Sequence, residues 1–226
     1  MRKIILILST LVACGSGEQK EIVSELEVVT SCTNKTTNVL IIGDSISEGY
    51  TPFAKDALRG VYVQHNMIGS TGYTNAQTSG FTLANIEDYL DDCPKWDVVT
   101  FGNGLWDIAQ TDGDGTPRGG SSSDYAQNIR AIGNRLISSG AVAVFLTMAP
   151  VETGDGVCLD YLVRPYNDSA VAALSGTGVV ISDFNSWAHR QAKYQKRGDV
   201  HYSPEGYKIL SQFVVQVIRT ELEGLK

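Results

Sequence analysis

The alternation of short apolar segments with amphipathic ones constrains the fold of this chain more than any other feature of its sequence. Apolar runs rich in β-branched residues recur between residues 38 and 182, and segments with helical periodicity separate them. Runs that are apolar throughout suit strands buried on both faces, and the segments between them suit helices that cover those faces. Strands are predicted at residues 39–42, 61–65, 97–101, 142–147 and 179–182. The pattern therefore predicts an α/β fold, a three-layer α/β/α sandwich with a central parallel sheet.

Two of the amphipathic segments have clear helical faces. Apolar side chains recur at helical spacing in the sets Tyr125, Ile129, Ile132, Leu136 and Tyr207, Leu210, Val214, Val217. The pairs Thr51-Pro52 and Ser203-Pro204 each predict a helix start, with an N-cap residue followed by proline at the first helical position.

Length and charge limit the classes of partner. The 226 residues, 42% of them hydrophobic, predict one domain with a substantial core. The chain has 18 basic and 25 acidic residues, a formal charge of −7, and no run of Lys or Arg. Nucleic acid is therefore not an expected ligand, because its phosphates require a basic surface.

The first 13 residues have the layout of a targeting signal. Basic residues precede an apolar run over residues 4–8 that is too short to span a bilayer, and small residues follow it. The sequence Leu11-Val12-Ala13-Cys14 resembles the bacterial lipobox, which implies that Cys14 is lipidated and becomes the mature N-terminus. An ordinary secretory peptide cleaved nearby is the alternative.

This division of the chain predicts three parts. Residues 1–13 are a lipoprotein signal peptide, residues 14–37 are the lipidated cysteine and a polar, flexible tether, and residues 38–226 are the folded domain. The lipobox resemblance implies a lipid-anchored protein of the bacterial cell envelope. Gly15 after the cysteine, instead of Asp, favours the outer membrane in organisms that sort by that position.

If Cys14 is lipidated, Cys32, Cys93 and Cys158 remain for disulfide formation. An odd number allows at most one bridge within a monomer. Cys32 and Cys93 each lie a few residues before a predicted strand, and therefore at the same end of the sheet. We expect a Cys32–Cys93 disulfide and a Cys158 that is a small, buried apolar residue.

A serine at the end of the first strand and a histidine near the C-terminus are the candidates for catalysis. The segment Gly43-Asp44-Ser45-Ile46-Ser47 delivers Ser45 at a strand exit beside a helix start, where backbone amides can hold an anion. A phosphate-binding loop is excluded, since no Lys-Ser or Lys-Thr pair follows, and Ser47 replaces the last glycine of the α/β-hydrolase elbow. His201 in Asp199-Val200-His201 is the candidate base, and we expect His65 and His189 to be structural.

Four blocks in this order resemble the SGNH hydrolases, also called GDSL esterases and lipases, from about residue 38 to the C-terminus. They are Gly43-Asp44-Ser45-Ile46-Ser47, Gly69-Ser70-Thr71-Gly72-Tyr73-Thr74, Phe101-Gly102-Asn103-Gly104-Leu105-Trp106-Asp107 and Asp199-Val200-His201. The resemblance implies a flavodoxin-like sheet, with Ser45 as nucleophile and His201 as base. It also implies an oxyanion hole made by the amides of Ser45 and Gly72 and the side chain of Asn103.

The third and fourth blocks depart from the family pattern. Asparagine usually follows glycine after one intervening residue, whereas Asn103 follows Gly102 directly. The family also has a variant form, Asn-x-Gly-Leu-(His/Trp)-Asp, and against that form Gly102 occupies the asparagine position. The acid usually stands three residues before the histidine, where this chain has Gly198. Asp199 takes its place if the chain is extended there; otherwise a backbone carbonyl, Asp107 or another acid orients His201, or the site is a Ser-His dyad.

The resemblance implies a serine esterase that forms an acyl-enzyme. We expect a short-chain acyl ester on carbohydrate as substrate, because a lipid-anchored envelope enzyme meets such esters. The alternatives are a lipase or lysophospholipase and a non-catalytic binding lipoprotein. Trp106 is expected either in the substrate pocket or in the core. No metal or organic cofactor is implied, since no ligand cluster is visible.

Overall fold

The computed structural model describes residue 29 and residues 31–66, 75–111, 113–152 and 156–226. The predicted signal peptide, the lipidation site Cys14, most of the tether and Gly72 of the predicted oxyanion hole lie outside these ranges. None of the helices formed by the described residues is long and apolar enough to cross a membrane.

A parallel sheet of five strands forms the centre of the described part. Together with a separate two-stranded hairpin, the described residues form the strands β1 (Thr37–Gly43), β2 (Val61–His65), β3 (Val98–Gly102), β4 (Gln110–Thr111), β5 (Thr116–Pro117), β6 (Val142–Leu146) and β7 (Val180–Ser182). The sheet order is β2-β1-β3-β6-β7, which is the flavodoxin-like order, and β4 and β5 pair separately as an antiparallel hairpin. The register places Gly43 beside Gly102, so β1 and β3 end together at the carboxyl edge.

The central strands are buried on both faces. Val39, Leu40 and Ile41 of β1 have no exposed surface, and the same is true of Phe101 in β3 and Phe145 in β6. Continuous apolar sequence in these strands therefore reflects helices on both sides of the sheet. The predicted strand bounds agree with the observed ones to within two residues.

The helices cover the sheet in two groups. They are α1 (Ser45–Ala57), α2 (Ser79–Ala84), α3 (Ile86–Asp91), α4 (Ser122–Ser138), α5 (Val163–Leu174), α6 (Phe184–His189) and α7 (Pro204–Gly224). Helix α1 packs with α7, which also contacts α6, while α4 packs with α2 and α5. The result is the three-layer α/β/α sandwich that was predicted.

The predicted helical faces are confirmed, but one predicted helix start is wrong. Tyr125, Ile129, Ile132 and Leu136 are fully buried on α4, and Ser203 caps α7 with Pro204 at its first position. By contrast, α1 begins at Ser45, with Pro52 inside the helix. The earlier start is favoured because the Asp44 carboxylate accepts a hydrogen bond from the Ile46 amide and thereby caps the helix.

The predicted disulfide is confirmed: Cys32 bonds to Cys93, with their Cα atoms 5.9 Å apart. This bond joins the segment before β1 to the loop before β3. The Asn38 side chain also donates to the Thr33 carbonyl oxygen at 2.9 Å. The chain is thus fastened to the domain from Cys32 onward, ahead of the predicted boundary at residue 38.

Candidate active site

Ser45 lies at the carboxyl edge of the sheet, where β1 gives way to α1. Asp44 separates strand from helix, and its buried side chain accepts from the Ile46 amide at 3.0 Å. Ser45 is the first residue of α1, so its own amide belongs to the first turn, whose N–H groups have no partner within the helix. The nucleophile candidate therefore stands beside a source of hydrogen-bond donors for an anion.

His201 reaches Ser45 from a closed turn before α7. The Lys196 amide donates to the His201 carbonyl oxygen at 2.8 Å, and the Asp199 amide donates to the Lys196 carbonyl oxygen at 3.1 Å. These bonds hold the backbone around the histidine, and its Nε2 lies 2.8 Å from the Ser45 Oγ. The two residues are 156 positions apart in sequence and at hydrogen-bonding distance in the fold.

Asp199 is the carboxylate that contacts the imidazole. Its Oδ1 lies 2.6 Å from the His201 Nδ1 and also accepts from the His201 backbone amide at 3.1 Å. An aspartate that accepts from the amide two residues later forms a turn, so the pair meets in a turn and not in the extended backbone on which the prediction was conditional. Partial burial acts to raise the pKa of Asp199, but the two bonds from His201 outweigh it and the pKa lies below its ordinary value.

Gly198 shows why the carboxylate is displaced by one position from the family pattern. Its φ of 66° is in the left-handed region, which favours glycine over residues with a Cβ atom. Its amide donates to the Glu152 carboxylate. The turn therefore uses residue 198 for its backbone conformation, and the next residue carries the acid.

Asp107, the other acid considered for His201, faces a different partner. Its two carboxylate oxygens accept from the Ser79 amide, at 3.1 and 2.9 Å, and one accepts from the Ser79 hydroxyl at 2.5 Å. Burial raises the pKa of Asp107 to about 6 although these hydrogen bonds oppose the shift. Asp107 thus anchors the start of α2.

Asn103 is buried directly after β3, and its side chain is engaged with the segment that precedes and begins α2. Its Nδ2 donates to the Thr82 Oγ1 at 2.8 Å and to the Gln77 carbonyl oxygen at 3.2 Å. Both N–H bonds of the amide are therefore used inside the protein. This geometry gives Asn103 a positioning contact, and its predicted role as an oxyanion donor requires one of these bonds to be exchanged.

Asp44 and His65 contact the first turn of α1, which carries Ser45. Burial raises the pKa of Asp44 to about 6, against the bond from Ile46 and the charge of His201. Ser47 donates to the Asp44 carbonyl oxygen at 2.6 Å, and its Oγ also lies 2.6 Å from the His65 Nε2. His65 therefore contacts the first turn of α1 and not Ser45, and His189 is exposed at the end of α6, as expected for structural histidines.

A cavity of about 160 Å³ opens beside Ser45 and His201. Its other described lining residues are Leu105, Trp106, Ala109, Arg118, Val157, Cys158 and Val200. Trp106 is half-buried in this wall, so of the two expected places it occupies the pocket. Cys158 lies in the same wall, with its thiol 3.4 Å from the Leu105 carbonyl oxygen.

Of the residues in this wall, the sequence predicted only Trp106 as a pocket residue, because the rest of the wall is built by backbone pairing across distant segments. The Gly119 amide, just after the β4–β5 hairpin, donates to the Asp107 carbonyl oxygen at 2.9 Å and so joins the hairpin to the segment that follows β3. On its other side, the Gln110 amide donates to the Val157 carbonyl oxygen at 2.9 Å. No group of three His, Cys, Asp or Glu side chains within the described ranges is arranged to hold a metal ion.

Comparison with known proteins identifies the family of the sequence. The sequence matches the GDSL-like lipase/acylhydrolase family over residues 41–209, which include the serine, asparagine and histidine described above. Comparison with curated protein sequences gives no significant match.

Solved structures of similar fold come from several bacteria. A lipase/acylhydrolase from Enterococcus faecalis superposes with a TM-score of 0.65 at 15% identity, covering 82% of this chain and 96% of that one. An acetylxylan esterase from Geobacillus stearothermophilus gives 0.63 at 17% identity, covering 80% and 93%. A GDSL-like lipase from Bacteroides thetaiotaomicron gives 0.63 at 17%, covering 85% and 92%. The chain belongs to the GDSL-like lipase/acylhydrolase family and is a hydrolase that acts on ester bonds.

Proposed function

We propose that the protein is a serine esterase that removes short acyl groups, such as acetyl, from carbohydrate through an acyl-enzyme on Ser45. The observation that carries the proposal is the chain of hydrogen bonds from Asp199 through His201 to Ser45, at 2.6 and 2.8 Å. A serine hydroxyl becomes an effective nucleophile when an adjacent base accepts its proton and a third group orients that base.

In the first half-reaction, the His201 Nε2 accepts the Ser45 proton while the Ser45 Oγ bonds to the ester carbonyl carbon. The resulting oxyanion is held by the amides of Ser45 and Gly72, and by Asn103 once its longer bond, to the Gln77 carbonyl oxygen, is exchanged. The imidazolium then protonates the alcohol oxygen as its bond to carbon breaks. The alcohol leaves, and the acyl group remains on Ser45.

In the second half-reaction, His201 takes a proton from water as the water oxygen attacks the acyl carbon. The tetrahedral intermediate collapses, the carboxylic acid leaves, and the proton returns to the Ser45 Oγ. Asp199 keeps a proton on the His201 Nδ1, so that the Nε2 faces the serine as an acceptor. Its carboxylate also stabilises the imidazolium that forms in each half-reaction.

The size of the pocket favours a short acyl group. The cavity beside Ser45 measures about 160 Å³, which is small against the roughly 300–1,000 Å³ of sites that enclose drug-sized ligands. Leu105, Val157 and Val200 give it an apolar lining suited to an acyl methyl group. An acetylxylan esterase is among the proteins of similar fold, which is consistent with an acetylated carbohydrate as substrate.

Hydrolysis of 4-nitrophenyl acetate, butyrate, octanoate and palmitate tests the acyl preference. We expect kcat/KM to be highest for acetate and to fall steadily with chain length, and acetate to be released from acetylated oligosaccharides. A preference for octanoate or palmitate would instead support a lipase. Ser45→Ala should abolish turnover, whereas Ser138→Ala, which removes an exposed hydroxyl at the end of α4, should not change it.

A further inference from the structure

Arg118 and Trp106 form a cationic element in the wall of the candidate active-site pocket. Both residues line the cavity that contains Ser45 and His201. The Arg118 guanidinium lies over the Trp106 ring, with its central carbon 5.6 Å from the ring centroid. Such a cation–π contact holds a guanidinium in place while its N–H donors stay available.

The backbone that carries this pair is fixed on two sides. The Arg118 amide donates to the Ala109 carbonyl oxygen at 2.8 Å, directly after the β4–β5 hairpin. Ala109 in turn bridges to Cys158 in an antiparallel arrangement. The position of the arginine backbone relative to Ser45 is thus set by pairing between three segments.

Among the described residues of this wall, the charge of Arg118 has no counterpart. Leu105, Ala109, Val157 and Val200 are apolar, and no carboxylate of the described residues lines the cavity. The ion pairs found among the described residues all involve other cations, namely Lys95, Arg135, Arg164 and His201. The Arg118 guanidinium is a cation in a largely apolar wall, in a chain of formal charge −7, and is suited to bind an anionic group of a ligand.

We propose that Arg118 determines specificity by binding a carboxylate on the substrate, so that the preferred ester carries an anion beside the scissile acyl group. This inference rests on the proposed function, because it takes Ser45 as the group that attacks the ester. The planar guanidinium can donate two parallel hydrogen bonds to a carboxylate, while Trp106 supports its opposite face. The carboxylate belongs either to the alcohol part or to the acyl part, and the two arms below separate these sources.

In the first arm, the anion is on the alcohol part: 3-acetoxybenzoate is compared with neutral 3-acetoxybenzamide. In the second, it is on the acyl part: the 4-nitrophenyl monoester of succinate is compared with its methyl ester. We expect the wild-type protein to favour the anionic member of one pair by about 10-fold or more in kcat/KM, mainly through a lower KM. In Arg118→Gln the preference should disappear, so that the anionic and neutral esters of each pair are hydrolysed with similar kcat/KM.

Two control variants test whether the preference for the anionic ester comes from the Arg118 guanidinium itself. Arg164→Gln removes an equal charge from an exposed residue outside the pocket wall, and it should keep the preference. Arg118→Lys should keep only part of it, because an ammonium cannot reproduce the two parallel bonds. Equal preferences in Arg118→Gln and the wild type, or none in either arm, would overturn the inference.

Binding without turnover separates this inference from the proposed function. Titration calorimetry of Ser45→Ala with 3-acetoxybenzoate and 3-acetoxybenzamide, and with the two succinate esters, measures recognition directly. We expect tighter binding of the anionic ester in one pair, and equal binding within both pairs in Ser45→Ala/Arg118→Gln. This result would hold even if hydrolysis proved independent of Ser45, and equal binding of both members in Ser45→Ala would contradict the role of Arg118.

Discussion

Asp199 contacts His201 twice with the same carboxylate oxygen, at 3.1 Å from the backbone amide and at 2.6 Å from the ring Nδ1. The first bond closes the turn, and the second orients the imidazole toward Ser45. One oxygen therefore links the local backbone conformation to the geometry of the candidate catalytic site. Both residues are more than one-third exposed, so solvent weakens the ionic part of the contact and its effect lies mainly in orientation.

Asp199→Asn tests this orienting role. Asparagine keeps an oxygen for the His201 amide but removes the negative charge that holds the Nδ1 proton. We expect kcat to fall by roughly 10²–10⁴-fold, with little change in the free energy of unfolding. Asp168→Asn, a substitution of an exposed carboxylate on α5, is the matched control and should retain full activity. Wild-type kcat in Asp199→Asn would mean that the pair does not orient the base.

Thr82 tests the positioning contact of Asn103. The buried hydroxyl accepts from the Asn103 Nδ2 at 2.8 Å and donates to the Ala76 carbonyl oxygen at 2.8 Å. Thr82→Val leaves both groups without that partner, so we expect the free energy of unfolding to fall by about 1–3 kcal/mol in urea denaturation. Thr82→Ser keeps the hydroxyl and should lose much less. A Thr82→Val variant as stable as the wild type would show that these two hydrogen bonds do not stabilise the fold.

The disulfide makes stability depend on redox conditions. The Cys32–Cys93 bond closes a loop with a sequence separation of 61. The chain-entropy relation for a loop of this length gives about 4 kcal/mol of stabilisation. We expect dithiothreitol to lower the Tm of the wild-type protein and to leave that of a Cys32→Ala/Cys93→Ala variant unchanged. A wild-type Tm that does not respond under conditions that fully reduce the protein would contradict this expectation.

Asp44 gives the fold a pH dependence of defined sign. Burial raises its pKa from 3.8 to about 6, so folding favours the protonated form. The stabilisation from this group is complete below about pH 3.8 and is lost as the pH rises through about 6. Between pH 5 and pH 8 the loss amounts to about 1 kcal/mol.

Asp44→Asn removes this titration while keeping an oxygen acceptor for the Ile46 amide. Measured by urea denaturation, the stability of the variant relative to the wild type should rise by about 1 kcal/mol from pH 5 to pH 8. A relative stability that stays constant over this range would show that Asp44 titrates as an ordinary carboxyl.

The strands and the order of the functional blocks were predictable from sequence because both follow local patterns. Continuous apolar runs identified the buried strands, and parallel strands bring their carboxyl ends to one edge. Residues that follow different strands, Ser45 and Asn103, were therefore expected near each other, and the register of Gly43 beside Gly102 bears this out. The Cys32–Cys93 disulfide was predicted in the same way, because both cysteines precede strands and therefore lie at the amino edge of the sheet.

Other parts of the site depend on contacts that sequence spacing does not encode. The turn that joins Asp199 to His201 forms because one carboxylate oxygen reaches an amide two residues later, whereas spacing alone suggested an extended backbone. The bonds of Asn103 to Gln77 and Thr82 span 26 and 21 residues. Arg118 is placed in the pocket wall by the β4–β5 hairpin that precedes it. The strands of this hairpin have two residues each and are too short to produce a periodic sequence signal.

Covalent labelling shows directly whether Ser45 is an activated nucleophile. A fluorophosphonate bonds through phosphorus to an activated serine oxygen, and mass spectrometry locates the adduct. We expect one adduct per chain on the peptide that contains Ser45, none in Ser45→Ala, a large loss of labelling in His201→Ala, and full labelling in His189→Ala. An adduct on another residue, or labelling that persists in Ser45→Ala, would contradict the account.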